Sequence, residues 1–301
     1  MQFQQRTLAR PASCTGRGVH SGRTVRLRVL PAPINHGIQF ARVDLPAQPV
    51  IPAVFANVVD TSNATVLGAD GCIVSTVEHL MAAFAAMEID NARVEIDNFE
   101  LPIMDGSAAP FVALLDRAGV QHQGGPKCVF VVKQPITVTE GDKTVSIHPA
   151  PAPRITCSID FSHPHVGRQE YTLDLRPDTF RNQIAAARTF GFLHEVELMK
   201  RFGLGRGGSL DNAVVVGEDG VLNPDGLRFP DEFVRHKVLD CIGDVSLLGL
   251  PILGHLVSHR SGHAFNHAFL QAFVNNTAAW ETLTLHDIRD RRDLPPEALA
   301  V

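Results

Sequence analysis

Strict alternation of apolar and polar residues marks several short segments of the chain. The clearest examples are TVRLRV at 24–29 and ITCSIDF at 155–161. Because successive side chains of a strand point to opposite faces, this pattern predicts β-strands with one buried face. Shorter alternating segments predict further strands around Val94/Ile96, Val145/Ile147 and Leu173/Leu175.

Apolar residues spaced three and four apart indicate helices in other parts of the chain. This periodicity predicts helices over 75–88, 108–118, 193–202, 231–248 and 263–275. The predicted strands are followed by helices without a regular βαβ alternation. That order favours an α+β fold over a doubly wound parallel sheet.

A short polar, glycine-rich segment, GVQHQGGPK at 119–127, divides the pattern into two similar halves. It predicts a domain boundary near residue 126, with one α+β domain over 1–126 and a second over 127–301. Each half has a helix with an embedded histidine and acid, TVEHLMAAF and RHKVLDCIGD. We therefore predict a diverged duplication. The charged, proline-containing run at 286–301 predicts a solvated tail.

Composition narrows the possible function classes. A formal net charge of -5 argues against a nucleic-acid-binding protein held by a general basic field. The five cysteines are far apart and form no CxxC pair, which favours a reducing compartment. The first 14 residues lack the apolar core of a signal peptide, and the longest apolar stretch, 245–257, is too short to span a bilayer. We expect a cytoplasmic protein, and a monomer.

Two local motifs carry little functional information. The glycine-rich segment 203–208 lies between a predicted helix and a predicted strand, the reverse of the order needed to cradle a phosphate. We instead expect it to allow close backbone packing near a ligand. The Asn63-Ala64-Thr65 sequon has no meaning in a cytoplasmic chain.

The first candidate for chemistry is the pair Glu78 and His79. They are the only polar residues between Val77 and Met87, within a helix that otherwise reads as core. Burying an unpaired charge costs several kcal/mol, so both side chains would need partners there. The alternative is an exposed edge near the helix start, where a glutamate favours the helix dipole. A zincin metalloprotease is disfavoured because HExxH is absent.

The second candidate is the helical segment RHKVLDCIGD. His236 and Asp240 are four residues apart, so they lie on one helix face and could bind one metal ion at about 2.0–2.2 Å. Asp244 continues the same row. The alternative is an ordinary surface His–Asp pair. The pairs His255/His259 and His263/His267 have the same spacing, and spacing alone does not decide which pair completes a site with His79.

At these clusters the chain resembles the UDP-3-O-acyl-N-acetylglucosamine deacetylase family, zinc enzymes of bacterial lipid A synthesis. The resemblance covers nearly the whole chain, and it is specific because several motifs occur in the same order. They are GxGVHSG ending at Gly22, STVEHLMAA at 75–83, LPIMDGSAAPF at 101–111, ARTFGF at 187–192, GGSLDNAVV at 207–215, FVRHKVLDCIGD at 233–244 and SGHAFNHAF at 261–269.

The resemblance implies roles for particular residues. It implies one catalytic Zn²⁺ held by His79, His236 and Asp240, with Glu78 as the general base. It also implies four further catalytic residues: His263, its carboxylate partner Asp244, Lys237 and Thr189. The remaining histidines of the three pairs are then structural or peripheral. The implied fold is two similar α/β sandwich domains, each a sheet layered on helices, with the active site between them.

The implied reaction is hydrolysis of the acetamide of UDP-3-O-(3-hydroxyacyl)-N-acetylglucosamine to the free amine and acetate. The partner is thus a small-molecule substrate. Phe190 and Phe192 are expected to line an apolar groove for the acyl chain, Lys143 to meet the diphosphate and Phe161 to stack on uridine. One alternative is another zinc-dependent N-acetyl-sugar amidase on the same scaffold. A second is a binding module whose structural zinc has four protein ligands.

Overall fold

The computed structural model describes residues 1–290, in which sheets and helices alternate irregularly along the chain. Residues 291–301 of the predicted tail lie outside the described residues. The first half contains strands β1 (Gln4–Leu8), β2 (Ala12–Arg17), β3 (Thr24–Pro31), β4 (Ile38–Arg42), β5 (Val50–Pro52), β6 (Val58–Asp60), β7 (Val66–Ala69), β8 (Cys72–Val74), β9 (Ala92–Ile96) and β10 (Val120–Pro126), with helices α1 (Glu78–Ala86) and α2 (Ala109–Ala118).

The second half adds more helix. Its strands are β11 (Cys128–Val132), β12 (Ile136–Glu140), β13 (Lys143–His148), β14 (Arg154–Asp160), β15 (Arg168–Asp174), β16 (Phe190–Phe192), β17 (Val214–Gly217), β18 (Gly220–Val221), β19 (Ile252–Leu253), β20 (His255–His259) and β21 (Trp280–Thr284). Its helices are α3 (Pro177–Gln183), α4 (Leu193–Arg201), α5 (Glu232–Ser246), α6 (His263–Asn275) and α7 (Leu285–Asp290). The five helices predicted from periodicity are all present, and the fold is mixed α+β, as predicted.

Each half has one five-stranded sheet, and the two sheets follow the same pairing scheme. Their strand orders are β2-β3-β9-β4-β5 and β12-β13-β20-β14-β15. In each sheet, the strand that comes last in the chain (β9 or β20) lies in the centre. It is parallel to one neighbour and antiparallel to the other. The remaining neighbours are antiparallel.

Each half also has a small sheet inserted before its main helix. Strands β6, β7 and β8 form the first insert, between β5 and α1. Strands β16, β17 and β18 form the second, between α3 and α5, and helix α4 belongs to it. Both inserts therefore enter the chain at the same point of the repeated scheme.

Helices α1 and α5 pack against each other in the middle of the molecule. Every residue of α1 except Ala85 is buried. A nine-residue helix is marginal in isolation, so this burial is what stabilises it. The closest approach is at Gly243 of α5, where a Cβ atom would overlap the carbonyl oxygen of Glu78. One hydrophobic core runs through both halves and includes Leu27, Phe84 and Leu239.

Three segments differ from the sequence-based expectations. The polar segment before residue 127 is strand β10, paired antiparallel with β1; its alternation is hidden because most of it is exposed. Helix α3 begins with Pro177 and is too short for a clear period. The tail prediction is wrong for residues 286–290, which belong to α7. There Ile288 is buried with Val129 and Leu253.

The glycine-rich segment 203–208 does lie between a helix and a strand, as expected. Its backbone packs closely on the loop at 18–22, where Gly207 N donates to Val19 O at 3.0 Å. A Cβ atom on Gly207 would overlap the carbonyl oxygen of Gly18. Its close packing is thus with another part of the chain. Within residues 1–290, no helix combines the length and the apolar character that a bilayer crossing needs.

Candidate metal centre and active site

Three buried side chains from α1 and α5 form a cluster suited to a metal ion. His79, His236 and Asp240 each offer one ligand atom, and these atoms lie within 4.8 Å of one another. His236 Nε2 is 3.2 Å from Asp240 Oδ1, and His79 Nε2 is 3.8 Å from the same oxygen. The three side chains are only 2–6% exposed. The i,i+4 spacing places His236 and Asp240 together, and the packing of the two helices adds His79.

The chemistry of this cluster fits a cation. Within residues 1–290, Asp240 Oδ1 is one of the few buried side-chain atoms without a hydrogen-bond partner, which is costly unless something else compensates it. His236 Nδ1 lies 3.0 Å from the Ala187 carbonyl oxygen, to which it can donate, leaving Nε2 free as a ligand. Two imidazoles and one carboxylate are a typical donor set for a catalytic zinc ion.

The protonation states agree with this donor set. Burial, together with the nearby His236, lowers the pKa of His79 to about 3, so its imidazole is neutral. Burial favours a neutral Asp240, but His236 and Lys237 hold the pKa of that carboxyl well below its usual range. Metal binding needs neutral imidazoles and an ionised carboxylate.

A second set of polar groups lies beside the cluster. His263, the first residue of α6, places Nδ1 2.8 Å from Asp244 Oδ2 and Nε2 3.8 Å from Glu78 Oε1. Burial raises the pKa of Glu78 to about 7, against the opposing charge of His263. Burial opposes a charge on His263, but Asp244 outweighs it and raises the pKa to about 10. The site thus pairs a weak base with a cationic acid.

Lys237 and Thr189 border the same space. Lys237 Nζ donates to Asp240 Oδ2 at 2.8 Å and lies 5.6 Å from the centre of the Phe190 ring. Thr189 is fixed through its backbone, because its N–H donates to Gly106 O at 2.8 Å. A cavity of about 340 Å³ joins these groups; its lining is Thr61, Ser62, Asn63, Glu78, His79, Lys143, Thr189, Phe190, His236, Lys237, Asp240, Gly262, His263, Ala264 and Phe265.

The four residues expected to bind substrate divide into two groups. Lys143 and Phe190 line the cavity. Phe161 and Phe192 are not part of that lining. The Phe161 ring instead packs against Phe190 and Phe192, with ring centres 5.8 Å and 5.5 Å apart. Phe161 therefore packs against a residue of the cavity wall, Phe190, and Phe192 packs against Phe161.

The histidines of the other two pairs differ in their positions relative to the cavity. His255 and His259 lie on β20, where they are 2.9 Å from Thr156 Oγ1 and 2.8 Å from Ser158 Oγ respectively. His267 lies one turn along α6, with its ring centre 6.4 Å from that of Phe55. His263 is the one member of these two pairs in the cavity lining.

Two groups in contact with the site had no clear signal in the sequence. Thr65, in the turn between β6 and β7, donates from its N–H to Glu78 Oε2 at 3.1 Å and from Oγ1 to Asp244 Oδ1 at 2.6 Å. Asn266 Nδ2 donates to Asp244 Oδ2 at 2.8 Å. Asn266 lies within the SGHAFNHAF motif, which could have identified it, whereas Thr65 lies outside all the family motifs.

A second cavity, of about 290 Å³, lies at the other end of the central helices, between Phe84 of α1 and Val245 of α5. Its lining is mainly apolar. Among the described residues, the metal-suited cluster of His79, His236 and Asp240 is the only one of its kind. The candidate metal ligands therefore lie at the first cavity, of about 340 Å³, and not at the second.

The chain matches one protein family over most of its length. The family model for UDP-3-O-acyl N-acetylglycosamine deacetylase matches residues 5–275. The chain belongs to this family. It is 57% identical over 261 residues to the UDP-3-O-acyl-N-acetylglucosamine deacetylase of Myxococcus xanthus, a match covering 86% of this chain and 83% of that relative.

Two further relatives with the same name extend the match. The protein from Syntrophotalea carbinolica is 51% identical over 277 residues, 92% of this chain and 90% of the relative. The protein from Saccharophagus degradans is 47% identical over 287 residues, 95% of each chain. The family resemblance predicted from the motifs is confirmed.

Proposed function

We propose that the chain is a zinc-dependent deacetylase. It hydrolyses the acetamide of UDP-3-O-(3-hydroxyacyl)-N-acetylglucosamine to the free amine and acetate, an early step of lipid A synthesis. The observation that supports this most directly is the convergence of His79, His236 and Asp240 on one buried cluster, beside Glu78 and His263, in a member of this family.

His79, His236 and Asp240 would hold the ion as its three protein ligands. When bound, zinc supplies Lewis acidity that polarises a carbonyl oxygen and acidifies water. Lys237 donates a hydrogen bond to Asp240 Oδ2, and Asp240 Oδ1 stays available to coordinate the ion. Ala187 fixes the orientation of His236 through the bond to Nδ1.

The remaining groups would move protons and stabilise charge. Glu78, with its pKa raised to about 7, accepts the proton of the attacking water. The Thr189 hydroxyl stabilises the negative oxygen of the tetrahedral intermediate. His263, kept cationic by Asp244, protonates the amine nitrogen as the C–N bond breaks or stabilises the negative intermediate electrostatically. An amine is a poor leaving group until it is protonated.

The substrate's two ends would lie on different parts of the wall. Lys143 would meet the diphosphate and Phe190 the start of the acyl chain, which is supported by the presence of both side chains in the cavity lining. Further apolar surface is available on α4 and just after it, where Leu198 and Phe202 are 53% and 77% exposed. Phe161 and Phe192 would act indirectly, by supporting Phe190.

We also propose that the two halves, 1–126 and 127–301, are duplicated sandwich domains with the site between them. The shared pairing scheme of the five-stranded sheets supports this. A cytoplasmic location is supported by the five free cysteines. We retain the prediction of a monomer.

A deacetylation assay tests the proposed function. The zinc-loaded protein should release acetate from the acylated UDP-sugar at least about a hundredfold faster than from the same sugar without its acyl chain or from simple acetamides. Equal rates on all of them would favour a general N-acetyl-sugar amidase.

A purely structural zinc site would need a fourth protein ligand. His263 lines the same cavity, but its Nδ1 is bonded to Asp244 and it is not part of the metal-suited cluster. Chelation should therefore abolish activity while the fold is retained, and added zinc should restore it. A protein that unfolds on chelation and shows no activity when reloaded would support the structural alternative.

A further inference from the structure

Thr65 contacts more of the active-site machinery than its position in the sequence suggests. It lies in the first insert, between β6 and β7, and is 2% exposed. Its three polar atoms all face site elements. The carbonyl oxygen accepts from Val77 N at 3.3 Å, just before α1 begins, and the N–H donates to Glu78 Oε2 at 3.1 Å.

The Thr65 hydroxyl reaches the other half of the molecule. It donates to Asp244 Oδ1 at 2.6 Å and lies 3.3 Å from His263 Nδ1. The other oxygen of Asp244 accepts from His263 Nδ1 and from Asn266 Nδ2, each at 2.8 Å. Both oxygens of this carboxylate are therefore held by defined donors, which fixes its plane.

That plane determines where the His263 ring points. Asp244 directs Nδ1, and the opposite nitrogen, Nε2, then faces Glu78 Oε1 at 3.8 Å. Losing the Thr65 hydroxyl would leave Asp244 Oδ1 buried without that donor and free the carboxylate to rotate. The orientation of His263 would loosen with it.

We propose that Thr65 is a positioning residue that holds the general base and the histidine–aspartate pair in register. Its backbone N–H orients Glu78 on α1, while its hydroxyl orients Asp244 on α5 and, through it, His263 on α6. Thr65 acts through these groups and does not itself meet the reacting atoms. The inference rests on the proposed deacetylase function.

Two substitutions isolate the hydroxyl. Thr65→Val keeps the side-chain shape and the backbone contacts but removes the hydroxyl, and Thr65→Ser keeps the hydroxyl. We expect Thr65→Val to lower kcat about tenfold to a hundredfold and to change KM less than about twofold. The lost hydrogen bond orients groups that act in the chemical step and do not hold the substrate. Thr65→Ser should stay within about threefold of wild type in kcat.

A buried threonine elsewhere provides the matched control. Thr7 is buried, and its hydroxyl donates to Asn91 O at 2.7 Å and accepts from Ala32 N at 2.9 Å. Thr7→Val should lower Tm as much as Thr65→Val does but leave kcat unchanged. If both variants lowered kcat in proportion to Tm, Thr65 would be structural and the proposal would be wrong.

A double-mutant cycle with Asp244→Ala separates positioning from general damage, because alanine removes both carboxylate oxygens. If the hydroxyl acts through Asp244, Thr65→Val should cost much less activity in the Asp244→Ala background than in wild type. Additive losses would overturn the proposal, as would a Thr65→Val variant with wild-type kcat. Thr65→Ala removes the same hydroxyl and gives the same comparison if Thr65→Val does not fold.

The activity of the wild-type protein distinguishes failure of the proposed function from failure of the proposed role of Thr65. Wild-type protein that does not deacetylate the acylated UDP-sugar would contradict the proposed function. Active wild type with an equally active Thr65→Val would contradict the role of Thr65 alone.

Discussion

Helices α1 and α5 occupy the same place in the two halves, yet they differ in what they bring to the site. Each follows an inserted sheet and precedes the central strand of its five-stranded sheet. Helix α1 is almost wholly apolar after Glu78 and His79 in its first turn. Helix α5 carries His236, Asp240 and Asp244 along one side. The framework is repeated, but the chemistry is not.

The second pair of corresponding helices shows the same asymmetry. Helix α6 begins with His263, which faces Glu78 across the cavity. Helix α2 begins with Ala109 and Pro110 and adds no residue to the cavity lining. The two halves thus share a strand-pairing scheme with two corresponding helix pairs, and the polar side chains gather where α1 meets α5. Such a site should fail when either half loses its contribution.

The strongest test of this comparison replaces one metal ligand from each half. His79→Ala and His236→Ala should each reduce kcat/KM about a thousandfold or more and lose most of the bound zinc, because three protein ligands are the minimum for such a site. Metal analysis and the deacetylation assay measure both effects. A His79→Ala variant that kept zinc and activity would show that α5 alone forms the site.

The next test pushes the two helices apart without changing any polar side chain. Gly243→Ala places a methyl group against the carbonyl oxygen of Glu78. We expect about a hundredfold weaker zinc binding and a stability loss of about 1–3 kcal/mol, since the helices must shift. Gly124→Ala is the control, because a Cβ atom there meets nothing within 4 Å. Wild-type zinc affinity in Gly243→Ala would show that the close approach is not required.

The pH dependence tests the division of labour across the cavity. Glu78 works as a carboxylate, so activity should rise with pH through a pKa of about 7. His263 works as an imidazolium, so activity should fall as pH rises through a pKa of about 10. The positive charge of a bound metal ion moves both limbs to lower pH.

Variants assign the two limbs of this bell-shaped profile. Glu78→Gln should remove the acid limb of kcat/KM, and His263→Ala should remove the basic limb. An acid limb unchanged in Glu78→Gln would exclude that residue as the base. An unchanged basic limb in His263→Ala would similarly exclude the imidazolium.

The smallest effect on activity is expected at the opposite end of the central helices. Lys127 is buried and pairs with Asp90 at 2.9 Å beside the apolar cavity. Asp90→Asn should destabilise the protein by about 3 kcal/mol, since it leaves a buried charge without its partner. We expect kcat within about twofold of wild type at a temperature where the variant is folded. A large loss of kcat would show that this end is coupled to the site.

The sequence was most informative where local pattern and tertiary role agree. Alternation at 24–29 and the His236–Asp240 spacing each report a face that the fold then buries. The local pattern of apolar and polar residues was misleading where packing against distant parts of the chain determines the burial of a residue. Strand β10 is polar because it lies exposed beside β1, and Ile288 is buried because β11 and β19 cover it.

The local pattern was equally unable to bring the residues of the site together. His79 and Asp240 are 161 positions apart in the chain, so no local period could join them. The family resemblance supplied that connection. Neither pattern nor resemblance identified Thr65, because its contribution depends on the path of the first insert. Its backbone N–H, one of its two main donors, is common to every residue except proline.

X-ray absorption on the zinc-loaded protein tests most directly whether both halves bind one ion. We expect about four nitrogen or oxygen neighbours near 2.0 Å, including two imidazoles, with one neighbour exchangeable. At saturating zinc, the spectrum of His79→Ala should lose one imidazole contribution. An unchanged imidazole count in His79→Ala, or a site closed by four protein ligands, would contradict the proposed site.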